Sequence, residues 1–350
     1  MGANTAKEHH LVPKYWLRAF AEDGHVLGRR RTGAEHRTPV RRAAVARHFN
    51  TDPLAEGEQR VALETYLDHQ VDGPCAPVLR ALREGRATLE EVSDAVVLDG
   101  LAWQVVRTRA FRSFDEQVGR HVFPAVWAAE AAGYYEERLG RPLSEAERME
   151  VFWAAVRTAP DPSVTDDPRS ALRALIRGFE RTRNVLAAPG RRLVLLHSTE
   201  PLLMLSDSGV ALRRKDGSFT LTPPLLPETI EVFAPLSPNC LLVSTPRAHH
   251  RPRKGLTRKI AARANAGAVA WCQDAVYRLP SMPWPAPLRL AETSLEVRPP
   301  RLSAVPAQHP PGPPAAHPEI RDDDLRAILE QLAAVRSGPP VPGAKATGHS

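Results

Sequence analysis

The apolar positions of residues 9–60 change period within a short distance. In PKYWLRAFA, Leu17, Phe20 and Ala21 fall on one helical face. Pro13 suits the first turn of that helix, where its missing N–H costs nothing. EDG ends the helix, HVLGRRRTG reads as a strand running into a turn, and a second strand is expected around RTPVRRAAV. Residues 57–187 are mostly helical in pattern. EGEQRVALETYLDHQVDG is one segment, with CAPVLRALREG continuing or following it. In TLEEVSDAVVLDGLAWQVVRTRAFRSF, Thr88 and Glu91 have the spacing of a capping box, and Val92, Val96, Trp103 and Val106 repeat at helical spacing. A second capping box is expected at Ser144 and Glu147, and Asp167 with Pro168 can open the helix that follows.

From residue 191 the period becomes that of strands. RRLVLLHS, PLLMLSDSGVAL, IEVFAPLS and CLLVSTP are short, apolar and separated by turn residues, which predicts a small antiparallel sheet. TRKIAARANAGAVAWCQDAVYRL then reads as one helix capped by Thr257. The expected class is therefore α+β: a short N-terminal helix with strands, a central helical stack, and a small C-terminal antiparallel sheet plus helix. The pattern breaks near residue 280. A dozen prolines lie between Pro280 and Pro318, a run that builds neither ladder nor helix. The division this predicts is a single α+β domain at 1–279, a linker at 280–318, an amphipathic helix at 319–337 and a disordered tail at 338–350. Leu325, Ile328, Leu329 and Leu332 stripe that last helix, which suits docking on the body or on a protein partner.

Composition adds three constraints. The net charge of +7 suits a polyanion partner. Cys75, Cys240 and Cys272 are far apart and form no CxxC pair, which argues against a disulfide framework or a cysteine-rich zinc site. Reduced thiols fit a cytoplasmic protein. No apolar run approaches the length of a membrane span, so no membrane partner is expected.

Chemistry concentrates in a few places. His9 and His10 lie just before the positive end of the helix starting near Pro13, which favours a neutral imidazole. Such a ring can ligate a metal or act as a general base, or simply pack and hydrogen-bond the backbone. Asp207 sits at the turn of LLMLSDSGVAL, where a carboxylate can serve a ligand or close an Asx-turn. Gly100, Gln104, Arg107 and Phe111 share a helix face. Gln104 and Arg107 can hold an anionic group, or Arg107 can pair with a carboxylate in the core. Glu64 shares a helix face with Leu67, Asp68 and Val71, with His69 and Asp72 nearby on a different face, and the segment reads as solvated helix surface. The loop RAHHRPRKGLTRK places Arg251, Arg253 and Lys254 where they can grip phosphates, as an anionic ligand or as nucleic acid. Walker A, the Rossmann glycine fingerprint, GxSxG and HExxH are all absent.

HHLVPKYWLRAF resembles the leader of the bacterial family catalogued as domain of unknown function 4238, through His9, His10, Val12, Pro13, Leu17 and Phe20. The family's Q-x-x-R-T helix is matched by Gln104, Arg107 and Thr108, and its S-D-x-P-V turn by Ser206, Asp207 and Val210, with Gly209 where proline is usual. Pro235 to Pro238 and Asn265 also fit, so the resemblance spans about residues 8–278. It implies a shared α+β domain and supplies no activity. A family pattern built from His, Gln, Arg and Asp is hard to explain by packing alone, and if His9, His10, Gln104, Arg107 and Asp207 converge they make one polar site between the helical stack and the sheet. EHHLVPK is also similar to the start of an HNH nuclease finger, but the Asn and His spacing that should follow is missing, and a helix is expected after Pro13.

Three readings follow. In the first, His9, His10 and Asp207 bind a divalent metal or share general-base work while Gln104 and Arg107 hold an anionic group, as in a hydrolase-like or nuclease-like enzyme. In the second, the same residues form a structural polar network in a non-catalytic binding or interaction protein. In the third, the pocket senses a small molecule or nucleotide without turnover.

Overall fold

A computed structural model describes residues 8–52, 55–112, 132–133, 135–148, 150–151, 170–220, 229–246 and 255–285. The basic loop with Arg251, Arg253 and Lys254, the cap at Asp167, the amphipathic helix at 319–337 and all of the tail lie outside the described residues.

The leader folds as its pattern predicts. After β1 (Glu8–His10), Pro13 opens α1 (Lys14–Leu17), and a 3-10 turn carries the chain to Phe20. Leu11, Val12, Trp16, Leu17 and Phe20 are all buried, and the Trp16 indole N–H donates to the carbonyl of Pro235. The chain then forms β2 (His25–Arg30) and β3 (Glu35–Pro39), followed by a 3-10 turn at Val40–Arg42 and β4 (Val45–Arg47). β4 returns to pair antiparallel with β1, setting His9 opposite Ala46 and His10 opposite Val45.

The helical stack departs from an even α period at one place. Between α2 (Ala62–Tyr66) and α3 (Gly73–Arg83) lies a π turn at Leu67–Asp72. Pro74 and Pro77 bring no N–H to the ladder, so the hydrogen bonds of a regular helix cannot all form across this stretch. The helix predicted to start with Thr88 and Glu91 starts later, as α4 (Asp94–Val106). Glu91 does accept the Thr88 N–H at 2.7 Å, but the pair closes a turn ahead of the helix. α4 is buried on nearly every side from Val97 to Val106, which makes it the centre of the stack. Trp103 stacks on Phe179 of α5 (Ser170–Leu186), ring centroids 4.4 Å apart.

Most of the strands after residue 190 form a sheet of five, and two others join the N-terminal strands β2 and β3 in a separate sheet. β5 (Arg191–His197), β6 (Leu205–Ser206), β7 (Ala211–Arg214), β8 (Phe219–Thr220), β9 (Thr229–Ser237) and β10 (Cys240–Pro246) appear in that order. Five of them make an antiparallel sheet ordered β5-β10-β9-β7-β8. The predicted final helix is shorter than its pattern suggested. α6 (Arg258–Trp271) ends at Trp271, and Ala275–Arg278 forms β11. β11 fills the slot between β2 and β6 in a second sheet, ordered β3-β2-β11-β6. AVYR is helix-compatible by period, but every residue in it is buried, and the sheet offers a ladder on both sides. Residues at the start of the expected linker lie on the body: Ser281 donates its N–H to Glu22 at 2.9 Å, and Met282 is buried.

The Thr257 cap is present, its hydroxyl accepting the Ile260 N–H at 3.3 Å. Thr257→Ala is expected to lower stability by about 1 kcal/mol in urea unfolding. No loss would mean that the α6 start is held by packing alone.

The described residues between 132 and 151 belong to a second compact unit. Its capping box is reciprocal: Ser144 donates its N–H to Glu147 at 2.8 Å, and the Glu147 N–H reaches the Ser144 hydroxyl at 3.3 Å. Arg141 grips the same Glu147 through both terminal nitrogens.

Candidate functional site

Gln104 lies at the middle of the polar cluster and is fully buried on α4. Its Nε2 donates to the carbonyl of Leu11 in the leader and to that of Ser208 in the turn after β6, each at 2.9 Å. Its Oε1 accepts from Arg107 Nε at 3.2 Å. One side chain therefore ties three distant parts of the chain together. The turn is shaped to receive it. Gly209 has φ +70°, and a Cβ there would stand 2.7 Å from Gln104 Nε2. Its own N–H donates to Ser206 at 2.9 Å. A proline could adopt neither that φ nor that hydrogen bond, so this chain's turn differs from one with proline at the position.

Arg107 leaves the helical conformation at the end of α4, with φ −80° and ψ 42°, and is buried. Its two terminal nitrogens form a bidentate pair with Asp72, both at 3.0 Å. Burial disfavours the charged guanidinium, but Asp72 outweighs it and raises the Arg107 pKa. Asp72 read as part of a solvated face, and the π turn explains the difference. In a regular helix Asp72 would be rotated about 80° from Glu64. The wider turn takes most of that rotation back and aims both carboxylates inward.

His9 is buried under the ribbon. Its Nδ1 accepts the Asn50 N–H at 3.0 Å, which puts the ring proton on Nε2, facing the Thr51 hydroxyl at 3.5 Å. Glu64 stands 3.5 Å from the same Nδ1 and accepts from Asn50 Nδ2 at 2.6 Å. His10 differs. It is half-buried, and its Nε2 is enclosed without a hydrogen-bond partner. Burial and then Lys14 push its pKa from 6.5 down to about 4, against backbone hydrogen bonds to Val40 and Arg41. Burial, ahead of any helix field, favours the neutral form of this ring. Tyr15 lies beside Asp72 and Arg107, and burial raises its phenol pKa well above the usual value.

Asp207 is taken up elsewhere. One carboxylate oxygen accepts the Gln273 N–H at 2.9 Å and the other the Asp274 N–H at 2.7 Å. Ser208 next to it donates its hydroxyl to the Trp271 carbonyl at 2.7 Å. Together they fasten the turn to the end of α6 and start β11. Burial pushes the Asp207 pKa up from 3.8 to about 6, although the two N–H donors oppose the shift. His9, His10 and Asp207, expected to share a metal, do not come together as a ligand group: no cluster of three or more His, Cys, Asp or Glu able to hold an ion occurs among the described residues. The three cysteines are unbridged and buried, and burial raises the thiol pKa of Cys240 to about 12 and that of Cys272 further, against the direction of activation.

The residues missed from sequence were Asn50, Glu64 and Asp72 as members of the cluster. The available signal was Arg107 itself, because a buried arginine needs a carboxylate. Which carboxylate depends on a π turn that periodicity does not reveal.

His10 and Asp207 carry opposite pH dependence. His10 has its folded pKa below the unfolded value, so its contribution to stability is lost as pH falls from about 6.5 to about 4. Asp207 has its folded pKa raised, so stability grows as pH falls through about 6 towards 3.8. The swing is about 3 kcal/mol for buried Asp207 and about 2 kcal/mol for half-buried His10 after allowance for solvent screening. Relative to the native chain, His10→Gln is expected to gain stability between pH 7 and pH 4.5 in urea unfolding, and Asp207→Asn to lose it. Parallel pH profiles for the two variants would show that neither shift exists.

A family model described as "Protein of unknown function (DUF4238)" matches residues 8–281. Among curated proteins and among solved structures, no match is found. No helix among the described residues is long and apolar enough to cross a membrane.

Proposed function

The chain belongs to the DUF4238 family, and from its own residues we propose that it is a non-catalytic binding protein whose polar signature holds the fold. One observation supports this: the groups that would have to act on a ligand already have partners inside the protein. All three Arg107 side-chain nitrogens donate to Asp72 or Gln104, the Gln104 amide serves Leu11 and Ser208, and both Asp207 oxygens accept backbone N–H groups. A catalytic constellation instead keeps a nucleophile, base or oxyanion donor free for the reacting atom.

His10 Nε2 is the feature that favours an enzyme, being a neutral imidazole nitrogen without a partner. The two readings part on stability. Active-site side chains are held at a cost, and their replacement tends to leave a protein as stable or more so. The structural reading predicts that His9→Leu, Gln104→Leu, Arg107→Met and Asp207→Asn all lower the urea midpoint at pH 7. It also predicts that bis(p-nitrophenyl) phosphate with Mn²⁺ or Mg²⁺ is turned over no faster by the native protein than by His10→Ala. Turnover that disappears with His10→Ala, or a rise in midpoint across the four variants, would contradict it.

A further inference from the structure

Above the buried signature, the surface of the leader is strongly basic. Residues 8–20 and 40–48 contain Lys14, Arg18, Arg41, Arg42 and Arg47 against one acid, Glu8. All five cations are exposed, and none forms an ion pair with a described carboxylate. Some arginines elsewhere in the same unit are paired: Arg107 with Asp72, Arg183 with Asp99, Arg213 with Glu231 and Arg258 with Glu200.

The fold gathers these residues. Antiparallel pairing brings β4 with Arg47 beside β1, and Leu11 donates its N–H to Ala44 at 2.8 Å. α1 with Lys14 packs on the 3-10 turn that carries Arg41 and Arg42. His10 couples the two, its ring bonded to the backbone of Val40 and Arg41 and close to Lys14. Exposed Arg109 adds a further cation, its guanidinium reaching the Val45 carbonyl at 3.3 Å. Like charges held together repel unless counter-charge is supplied.

The composition of the face narrows the partner. The exposed large apolar side chains among the described residues are Tyr135 and Leu139, both in the second unit. The face thus has neither an aromatic platform for stacking unpaired bases nor an apolar wedge for a lipid surface. Phe49, two residues from Arg47, is buried beneath the Arg112 guanidinium, 3.9 Å from the ring centroid, and Trp16 beside Lys14 is buried as well, while Tyr15 is half-buried. We propose that Lys14, Arg41, Arg42, Arg47 and Arg109 form a surface that binds the phosphate backbone of a double-stranded nucleic acid without reading its sequence. This names a partner for the binding role above and rests on that reading. The two fail separately, because the turnover and stability results do not depend on this surface.

Fluorescence anisotropy with short labelled duplex DNA and duplex RNA tests it on the full chain. Binding should weaken steeply from about 50 to about 200 mM salt, with a log–log slope of about −4.5 on duplex DNA for five phosphate contacts. Lys14→Glu/Arg41→Glu/Arg42→Glu/Arg47→Glu should bind about a hundredfold more weakly with a flatter slope, and its melting temperature should match the native protein. If that variant folds poorly, Arg41→Gln and Arg47→Gln, made singly, should each reduce the slope by about one. The proposal is overturned if the native protein does not bind a duplex, or if these changes leave affinity intact. It is overturned equally if Arg251→Gln/Arg253→Gln/Lys254→Gln alone abolishes binding, or if phosphatidylserine vesicles are bound and duplexes are not.

Discussion

Gln104→Leu is expected to lower the unfolding free energy by about 3–5 kcal/mol. Leucine fills a similar volume, so little of the loss comes from packing. It comes from what the amide leaves behind. The carbonyls of Leu11 and Ser208 lose their donor in the interior, at about 1–3 kcal/mol each, and Arg107 Nε loses its acceptor. Because these partners lie in the leader, the turn after β6 and α4, the variant should loosen several elements together. Hydrogen exchange should then show loss of protection at residues 9–12 and 206–210 as well as along α4. A loss confined to α4, or a free-energy change below about 1 kcal/mol, would mean that the amide does not join them.

Arg107→Met is expected to lose about 3 kcal/mol, measured by urea unfolding at pH 7. Methionine replaces the aliphatic stem and removes the charge, leaving Asp72 ionised without a partner in a site that is 18% exposed. Full burial would make the loss larger. The residual exposure lets water solvate part of the carboxylate, which places the value at the lower end for a broken buried pair. Arg107→Lys should recover only part of the loss, since one ammonium cannot bond both Asp72 oxygens and Gln104 together.

Much of the fold can be read along the chain, and the failures have specific causes. The leader helix, the central helices and the strands from Arg191 to Pro246 are legible from their apolar runs and the turn residues between them, although α4 and β10 are buried on nearly every side. The start of α4 was misplaced because the Thr88–Glu91 spacing serves a turn as well as a cap. β11 was missed because AVYR continues a helical period, while its actual place depends on β2, β6 and the Asp207 carboxylate, all distant in sequence. Gln104 and Arg107 were recognised as neighbours from their spacing. The partners of Arg107 and His9 were not, because a π turn brings Asp72 and the β1–β4 pairing brings Asn50 to them. Asp207 looked like a ligand residue because a buried carboxylate at a strand end fits either role, and only the positions of the Gln273 and Asp274 N–H groups decide between them.

The double variant Arg107→Met/Asp72→Leu tests most directly whether the polar signature holds the fold. Replacing both members of a buried pair by apolar groups removes the unpaired charge that makes either single change costly. Urea unfolding at pH 7 should therefore place the double variant within about 1 kcal/mol of the native chain, with Arg107→Met about 3 kcal/mol below it. An Arg107→Met protein as stable as the native one, or more stable, would show that Arg107 is kept for a ligand and would contradict the structural account.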